Sequence, residues 1–225
     1  STGFGSVDSL HKVENPGGAR RQQTFYREPI SEISRRPGEE QLVFSRDANG
    51  SEFAQVFMFD GESGEATLLT DGESRNGATV WDRRGSRIAY KSTRRDGKAN
   101  DIWVMDPDQP DRAEMAIEAD DGFLWVPAEF SRDGGRLLVQ NYVSVTDSRA
   151  IMADLDDGTR TLLAGGGETP SLNRPVAFDD AGEGFWLITD QGGEFNQLAW
   201  QSLVPGAAPE IVTSDIPWDI SNVAI

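Results

Sequence analysis

One strand-only pattern recurs along the 225 residues, and nothing else in the sequence narrows the fold as much. Its clearest copy is 68–106, LLTDGESRNGATVWDRRGSRIAYKSTRRDGKANDIWVMD, where apolar runs at 78–81, 87–90 and 102–105 are separated by glycine- and charge-rich turns and show no helical period. Between the first two runs, Asp82-Arg83-Arg84-Gly85 supplies a tight polar turn in which glycine takes the positive φ that a branched residue resists. The aspartate closing the third run, Asp106, has counterparts at Asp60 and Asp154 and a polar stand-in at Ser202, at steps of 46, 48 and 48. Turn glycines Gly38, Gly85, Gly134 and Gly182 step by 47, 49 and 48, so two independent landmarks report one period.

A strand repeat of that length is the signature of a β-propeller blade, four antiparallel strands whose two faces are buried by neighbouring blades. The competing architecture is a β-sandwich with similar strand spacing. The first blade is expected over about 29–72 (strands 30–33, 42–44, 56–59, 66–69) and the second over 73–119 (78–81, 87–90, 102–105, 115–117). The third covers 120–166 (127–130, 136–140, 150–153, 161–163) and the fourth 167–215 (175–178, 185–188, 197–200, 210–212). Residues 1–17 read as a loose lead-in and 18–225 as a partial propeller. Within it, 18–24 lines up with 64–70 as the fourth strand of a blade, and 216–225, through 220–225, begins the next one. The fold class expected is therefore all-β: four complete four-stranded antiparallel blades plus a partial blade at each end, an incomplete ring. One outermost and one innermost strand cannot make a blade, so the apolar end faces call for more polypeptide, and a fragment or a nicked chain is expected.

With 37% hydrophobic and 9% aromatic residues the chain can bury an ordinary core. A net charge of −17 repels phosphate backbones and argues against nucleic acid as a partner; a solvated acidic surface is the simplest meaning of that charge. No cysteine is present, which excludes disulfides and thiolate chemistry and leaves the compartment open. No apolar run reaches the roughly 18–20 residues of a bilayer span, and STGFGSVDSLHK lacks a secretory core.

No residue stands out as catalytic, cofactor-binding or metal-ligating. A nucleophile elbow needs Gly-x-Ser-x-Gly, and Gly61-Glu62-Ser63-Gly64 has the wrong spacing. His11, the sole imidazole, falls in the lead-in. Asp154-Leu155-Asp156-Asp157-Gly158, Asp106-Pro107-Asp108 and Asp47-Ala48-Asn49-Gly50 carry oxygen ligands of the kind calcium takes, yet each sits where a turn wants Asp and Gly for backbone reasons. Arg94-Arg95-Asp96-Gly97-Lys98 is the most basic patch, read as pairing with surface carboxylates ahead of docking another domain. Trp81, Trp103, Trp186 and Trp200 recur at strand positions as packing residues, whereas Trp125 and Trp218 are expected to be exposed.

These residues resemble the N-terminal propeller of the prolyl oligopeptidase family of serine peptidases, in its bacterial dipeptidyl and acylaminoacyl peptidase-like branch. The resemblance is carried by ENPGGARRQQTFYREPIS (14–31), FSRDANGSEFAQVFMFD (44–60), LLTDGESRNGATVWD (68–82), YKSTRRDGKANDIWVMDP (90–107) and TSDIPWDIS (213–221), and covers nearly all of the chain from Glu14. The strand-turn-strand pattern is shared with Tol-system propellers, and the usual Ser-Pro-Asp-Gly turn appears as Asp82-Arg83-Arg84-Gly85, Ser131-Arg132-Asp133-Gly134 and Asp179-Asp180-Ala181-Gly182. The resemblance implies a non-catalytic gate that filters peptides for a C-terminal α/β-hydrolase domain carrying a Ser-Asp-His triad, none of it in this chain, with the rest of the propeller and that domain as partners and no cofactor. The alternatives are a Tol-system-like protein-binding scaffold and a propeller with glycosidase-like chemistry of its own.

Overall fold

A computed structural model describes residues 7–47 and 50–224. Among them every regular element is a strand except one 3₁₀ turn, Pro110–Arg112, and no helix is long and apolar enough to cross a membrane. The chain divides into two compact units, 1–98 with 103–114 and 99–102 with 115–225.

A two-stranded hairpin, β1 (His11–Lys12) and β2 (Arg21–Gln22), comes first. Four antiparallel four-stranded sheets follow, each in the order of the chain. The first holds β3 (Ile30–Arg35), β4 (Gln41–Arg46), β5 (Gln55–Asp60) and β6 (Ala66–Leu68), and the second β7 (Asn76–Trp81), β8 (Ile88–Ser92), β9 (Asp101–Met105) and β10 (Glu114–Ile117). The third holds β11 (Leu124–Phe130), β12 (Arg136–Ser144), β13 (Asp147–Asp154) and β14 (Arg160–Ala164). The fourth holds β15 (Asn173–Phe178), β16 (Gly184–Thr189), β17 (Gln197–Ser202) and β18 (Glu210–Ile211). All sixteen expected strands are present. The largest boundary error is in β12, which runs on past Gln140 to Ser144 because polar Asn141 is fully buried and continues the ladder opposite Arg149; β11 and β13 each begin three residues earlier than expected.

Both sequence landmarks have a backbone cause. Asp60 Oδ1 accepts from the N–H of Glu62 and Ser63, Asp154 Oδ1 from Asp156 and Asp157, and Asp106 Oδ1 from Asp108, folding the turn after each third strand. The stand-in Ser202 does the same, its Oγ accepting from Val204 N–H at 3.2 Å. Gly38, Gly85, Gly134 and Gly182 all have φ between 68° and 79°, the left-handed region that disfavours other residues.

Packing within each unit follows from the pleat, which gives every sheet two apolar faces. In the first unit Val43, Val56, Met58 and Leu69 of one sheet meet Trp81, Ile88, Tyr90 and Met105 of the next. In the second, Leu138, Ala150, Leu163 and Ala164 meet Phe178, Phe185, Leu187 and Ala199. Burying such side chains contributes about 1.5–3 kcal/mol each, against about 0–1 kcal/mol for an exposed ion pair such as Arg95–Asp96 at 3.8 Å.

Polar staples reinforce these seams. The innermost strand of every sheet is bulged, the register shifting between Ser31 and Ser34, Gly77 and Val80, Pro127 and Glu129, and Pro175 and Ala177. Glu32 and Ala78 hold positive φ there, at 50° and 53°, and Glu32 Oε2 accepts the Ala78 N–H at 2.7 Å. Glu129 Oε2 accepts the Phe178 N–H at 2.6 Å in the other unit. Arg36, nearly buried, donates to Gly85 O, Gln41 Oε1 and both oxygens of Asp108, with its guanidinium 5.7 Å from the Trp81 ring centroid.

At the two termini the structure departs from the sequence reading. The lead-in is not wholly loose: Leu10 packs on the first sheet and β1 pairs with β2. Residues 220–224, expected to form an innermost strand, lie in no strand. A strand needs a ladder partner, and here Ile220 N–H donates to Asn196 O while Arg174 donates to Ser221 O, so the segment runs as coil along the fourth sheet.

Hydrogen bonds from Arg36 hold the Asp108 carboxyl below its ordinary value, with burial opposing more weakly. Stability from this pair is complete above the unfolded carboxylate pKa and is lost as pH falls through the lowered folded value. Urea titrations are expected to show wild type losing more stability than Asp108→Asn between pH 5 and the acid limit, and Arg36→Ala losing about 2–3 kcal/mol at pH 7. Gly184 lies under the Trp200 indole, whose Nε1 donates to Asp179 Oδ2 at 2.9 Å. Gly184→Ala is expected to cost about 1–3 kcal/mol with a shift in tryptophan emission.

Candidate functional site

Two clefts stand out, one in each unit. In the second unit a polar cleft of about 800 Å³ lies between the 165–171 loop and the β16–β17 loop, lined by Gly165, Glu168, Ser171, Asp190 and Gln191 among others. Its floor is a buried polar latch. Ser148 Oγ accepts the Asn173 N–H and Ser148 O accepts Asn173 Nδ2, while Asn173 Oδ1 receives Thr189 Oγ1 at 3.0 Å and Gln191 Nε2 at 2.6 Å. Ser148, Asn173 and Thr189 are all fully buried. Asp190 Oδ1 accepts the Leu172 N–H at 2.8 Å, tying the two loops together. Gly165 is required at φ 80°, because a Cβ would press on Ser148 O and Asn173 Nδ2. A carboxylate pair, hydroxyls and backbone amides over a fixed floor can hold a polar or cationic group by hydrogen bonding. Its lining includes no imidazole to activate a nucleophile.

The first unit repeats the latch two periods earlier. Asn76 Nδ2 donates to Gln55 Oε1 and Ser74 O, and Gln55 Oε1 also receives Thr70 Oγ1 and Gly72 N–H. Asn76 and Asn173 each head an innermost strand. The sequence reading passed over them, although asparagines 97 residues apart, two repeats, were the available signal. Close by, Asp71 accepts from Ser74 and Glu73; burial pushes its carboxyl up, but these bonds and the charge of Arg94 outweigh it and leave the pKa lowered.

The residues weighed from sequence are scattered. His11 lies on β1 with Nδ1 3.2 Å from Ser9 O, and Gly61-Glu62-Ser63-Gly64 is the turn capped by Asp60. Among the described residues no three His, Asp or Glu side chains come together in a way that could hold a metal ion. Asp108 is bound to Arg36 instead; of the 47–50 turn, Ala48 and Asn49 lie outside the described residues. In the basic patch Arg95 pairs with Asp96 and Arg94 stacks 4.6 Å from the Trp103 ring centroid. Trp218 is 64% exposed as expected, but Trp125 is 4% exposed. Its indole donates to Asp121 Oδ1 at 2.9 Å and Arg160 covers its ring, partners that its place at a blade entry does not announce. The Asp121 carboxyl is pushed up by burial but drawn down overall by hydrogen bonds from Trp125, Phe123 and Asn141.

No family model and no curated protein matches the sequence. Solved structures do match by fold. TolB from Acinetobacter baumannii gives a TM-score of 0.67 at 16% identity over 90% of this chain and 48% of its own. An oligogalacturonate lyase in complex with manganese gives 0.69 at 13% over 87% and 54%. A puromycin-hydrolyzing peptidase of Mycobacterium tuberculosis gives 0.63 at 15% over 87% and 33%. The fold is a β-propeller. The chain spans a third to just over half the length of these structures, and its blades fit both the TolB propeller and the propeller found in the peptidase.

Proposed function

We propose that the chain is the non-catalytic propeller portion of a serine peptidase of the prolyl oligopeptidase family, in which it gates and filters peptides for an α/β-hydrolase domain outside these residues. The observation that carries this reading is the fold likeness to the puromycin-hydrolyzing peptidase over 87% of the chain, joined to the sequence resemblance from Glu14 onward. The dipeptidyl and acylaminoacyl peptidase-like branch is the finer form of the same proposal. In this role the polar cleft by Asp190 meets passing peptides, and the chemistry, acyl transfer from peptide to serine and then to water, is done elsewhere.

A second reading, a Tol-system-like scaffold that binds a protein partner, draws on the likeness to TolB, which extends over 90% of the chain. The test is the coding sequence beyond Ile225 together with an assay. The peptidase reading expects further strand repeats, then Gly-x-Ser-x-Gly followed by an aspartate and a histidine. It also expects the 225 residues alone to leave aminoacyl and peptidyl chromogenic substrates uncleaved at every pH. A stop codon after Ile225, or reproducible turnover by the isolated chain, would sink it.

A further inference from the structure

The polar latches of the two units are built alike and part company at one side chain. Asn76 and Asn173, Ser92 and Thr189, Thr93 and Asp190, and Arg94 and Gln191 each stand 97 residues apart. Asn76 pairs with Ser92 across its ladder, as Asn173 pairs with Thr189. Arg94 N–H donates to Ser92 Oγ and Gln191 N–H to Thr189 Oγ1, both at 3.2 Å. The neighbouring loops are pinned in the same way: Arg75 N–H donates to Thr93 Oγ1 at 3.0 Å, and Leu172 N–H to Asp190 Oδ1 at 2.8 Å. The backbone therefore brings Arg94 to the place from which Gln191 works.

From that place Gln191 Nε2 reaches Asn173 Oδ1 at 2.6 Å, where Thr189 Oγ1 joins it at 3.0 Å. In the first unit Asn76 is 4% exposed, and three acceptors, Ala54 O, Gln55 Oε1 and Ser74 O, fix the orientation of its amide. Among the described residues no donor reaches Asn76 Oδ1. Arg94, long enough to span what Gln191 spans, turns the other way and sets its guanidinium 4.6 Å from the Trp103 ring centroid. A buried acceptor left unpaired costs more than a cation over a half-exposed ring returns, and a charged donor makes a stronger hydrogen bond than an amide. Partial burial of the charge opposes the inward move. Asp71, which lies in the field of Arg94 and holds Ser74 at the edge of the latch, offsets part of that cost.

We propose that Arg94 is a two-position switch. Stacked on Trp103, it lends the exposed 93–98 loop its positive charge; swung inward, it takes the position on Asn76 Oδ1 that Gln191 holds on Asn173, closing the latch and uncovering the Trp103 ring. One guanidinium cannot serve both, since on Trp103 it leaves Asn76 Oδ1 unpaired. A ligand that binds the outward guanidinium, or the bared ring, therefore shifts the state of a buried amide by its preference for one position. The switch rests on neither reading of the propeller's role, because it concerns one loop within the first unit.

The test is NMR on the 225-residue protein carrying isotope-labelled arginine and asparagine. Nuclear Overhauser contacts from the Arg94 Hδ and Hε protons are expected both to the Trp103 ring and to the Asn76 side-chain amide. Arg94→Gln, a change at an exposed position, is expected to settle on Asn76 as Gln191 does on Asn173. It should move the Asn76 side-chain amide resonances and slow hydrogen exchange at the Arg75 and Asn76 backbone amides about tenfold, whereas Arg94→Ala should do neither. Contacts from Arg94 to Trp103 alone would overturn the proposal, as would Arg94→Gln behaving like Arg94→Ala. So would a crystal structure with an ordered water bound to Asn76 Oδ1 and Arg94 held in one conformer on Trp103.

Discussion

A β-sheet with apolar side chains on both faces is stable only when both are covered, and every other feature of this chain answers to that requirement. The first sheet shows the full arrangement. One face meets Trp81, Ile88, Tyr90 and Met105 of the next sheet. The other, built on Ile30, Phe44 and Phe59, is covered by Leu10 and Tyr26 from the N-terminal segment, with Arg46 held 4.2 Å from the Tyr26 ring centroid and 5.0 Å from that of Phe57. The fourth sheet is different. Trp186, Leu198 and Trp200 stay half-buried, although their counterparts in the first sheet, Val43, Val56 and Met58, are buried at 0%, 0% and 8%.

Most of the fold was legible in the sequence because its punctuation is made by the backbone. Gly38, Gly85, Gly134 and Gly182 need positive φ, and Asp60, Asp106, Asp154 and Ser202 cap the following turn. Few other residues do either job, so the period survives where the strands between have diverged. What escaped was polar and long-range. Asn141, Asn76 and Asn173 look like loop residues in one dimension, yet they are buried and their side-chain amides donate to partners as far as Asp121 and Ser148. The same blindness hid Trp125, whose partners Asp121 and Arg160 stand on opposite sides of it in the chain.

The candidate site was less legible than the scaffold for a related reason. Its cleft has no reactive group for a motif to announce; it is an arrangement of loops whose geometry is imposed from beneath by the Ser148–Asn173–Thr189 network. Loops set on a rigid base can vary in ligand preference while the base is retained. That division fits a fold shared by TolB, a lyase and a peptidase at 13–16% identity, and explains why likeness in fold leaves function to be argued from the site.

The bulges on the innermost strands bear on how such a chain tolerates change in length. Each contains one residue more than the strand opposite it, between Pro127 and Glu129 and between Pro175 and Ala177 in the second unit. Side chains before and after that residue are thereby set in opposite phase. Deleting Ala128 would tidy the ladder and rotate everything on one side of it by half a turn, trading buried Phe130 for a polar neighbour, Glu129 or Ser131. An apparent irregularity is thus a phase-setting device, and a longer loop would disturb this fold far less than a straightened inner strand.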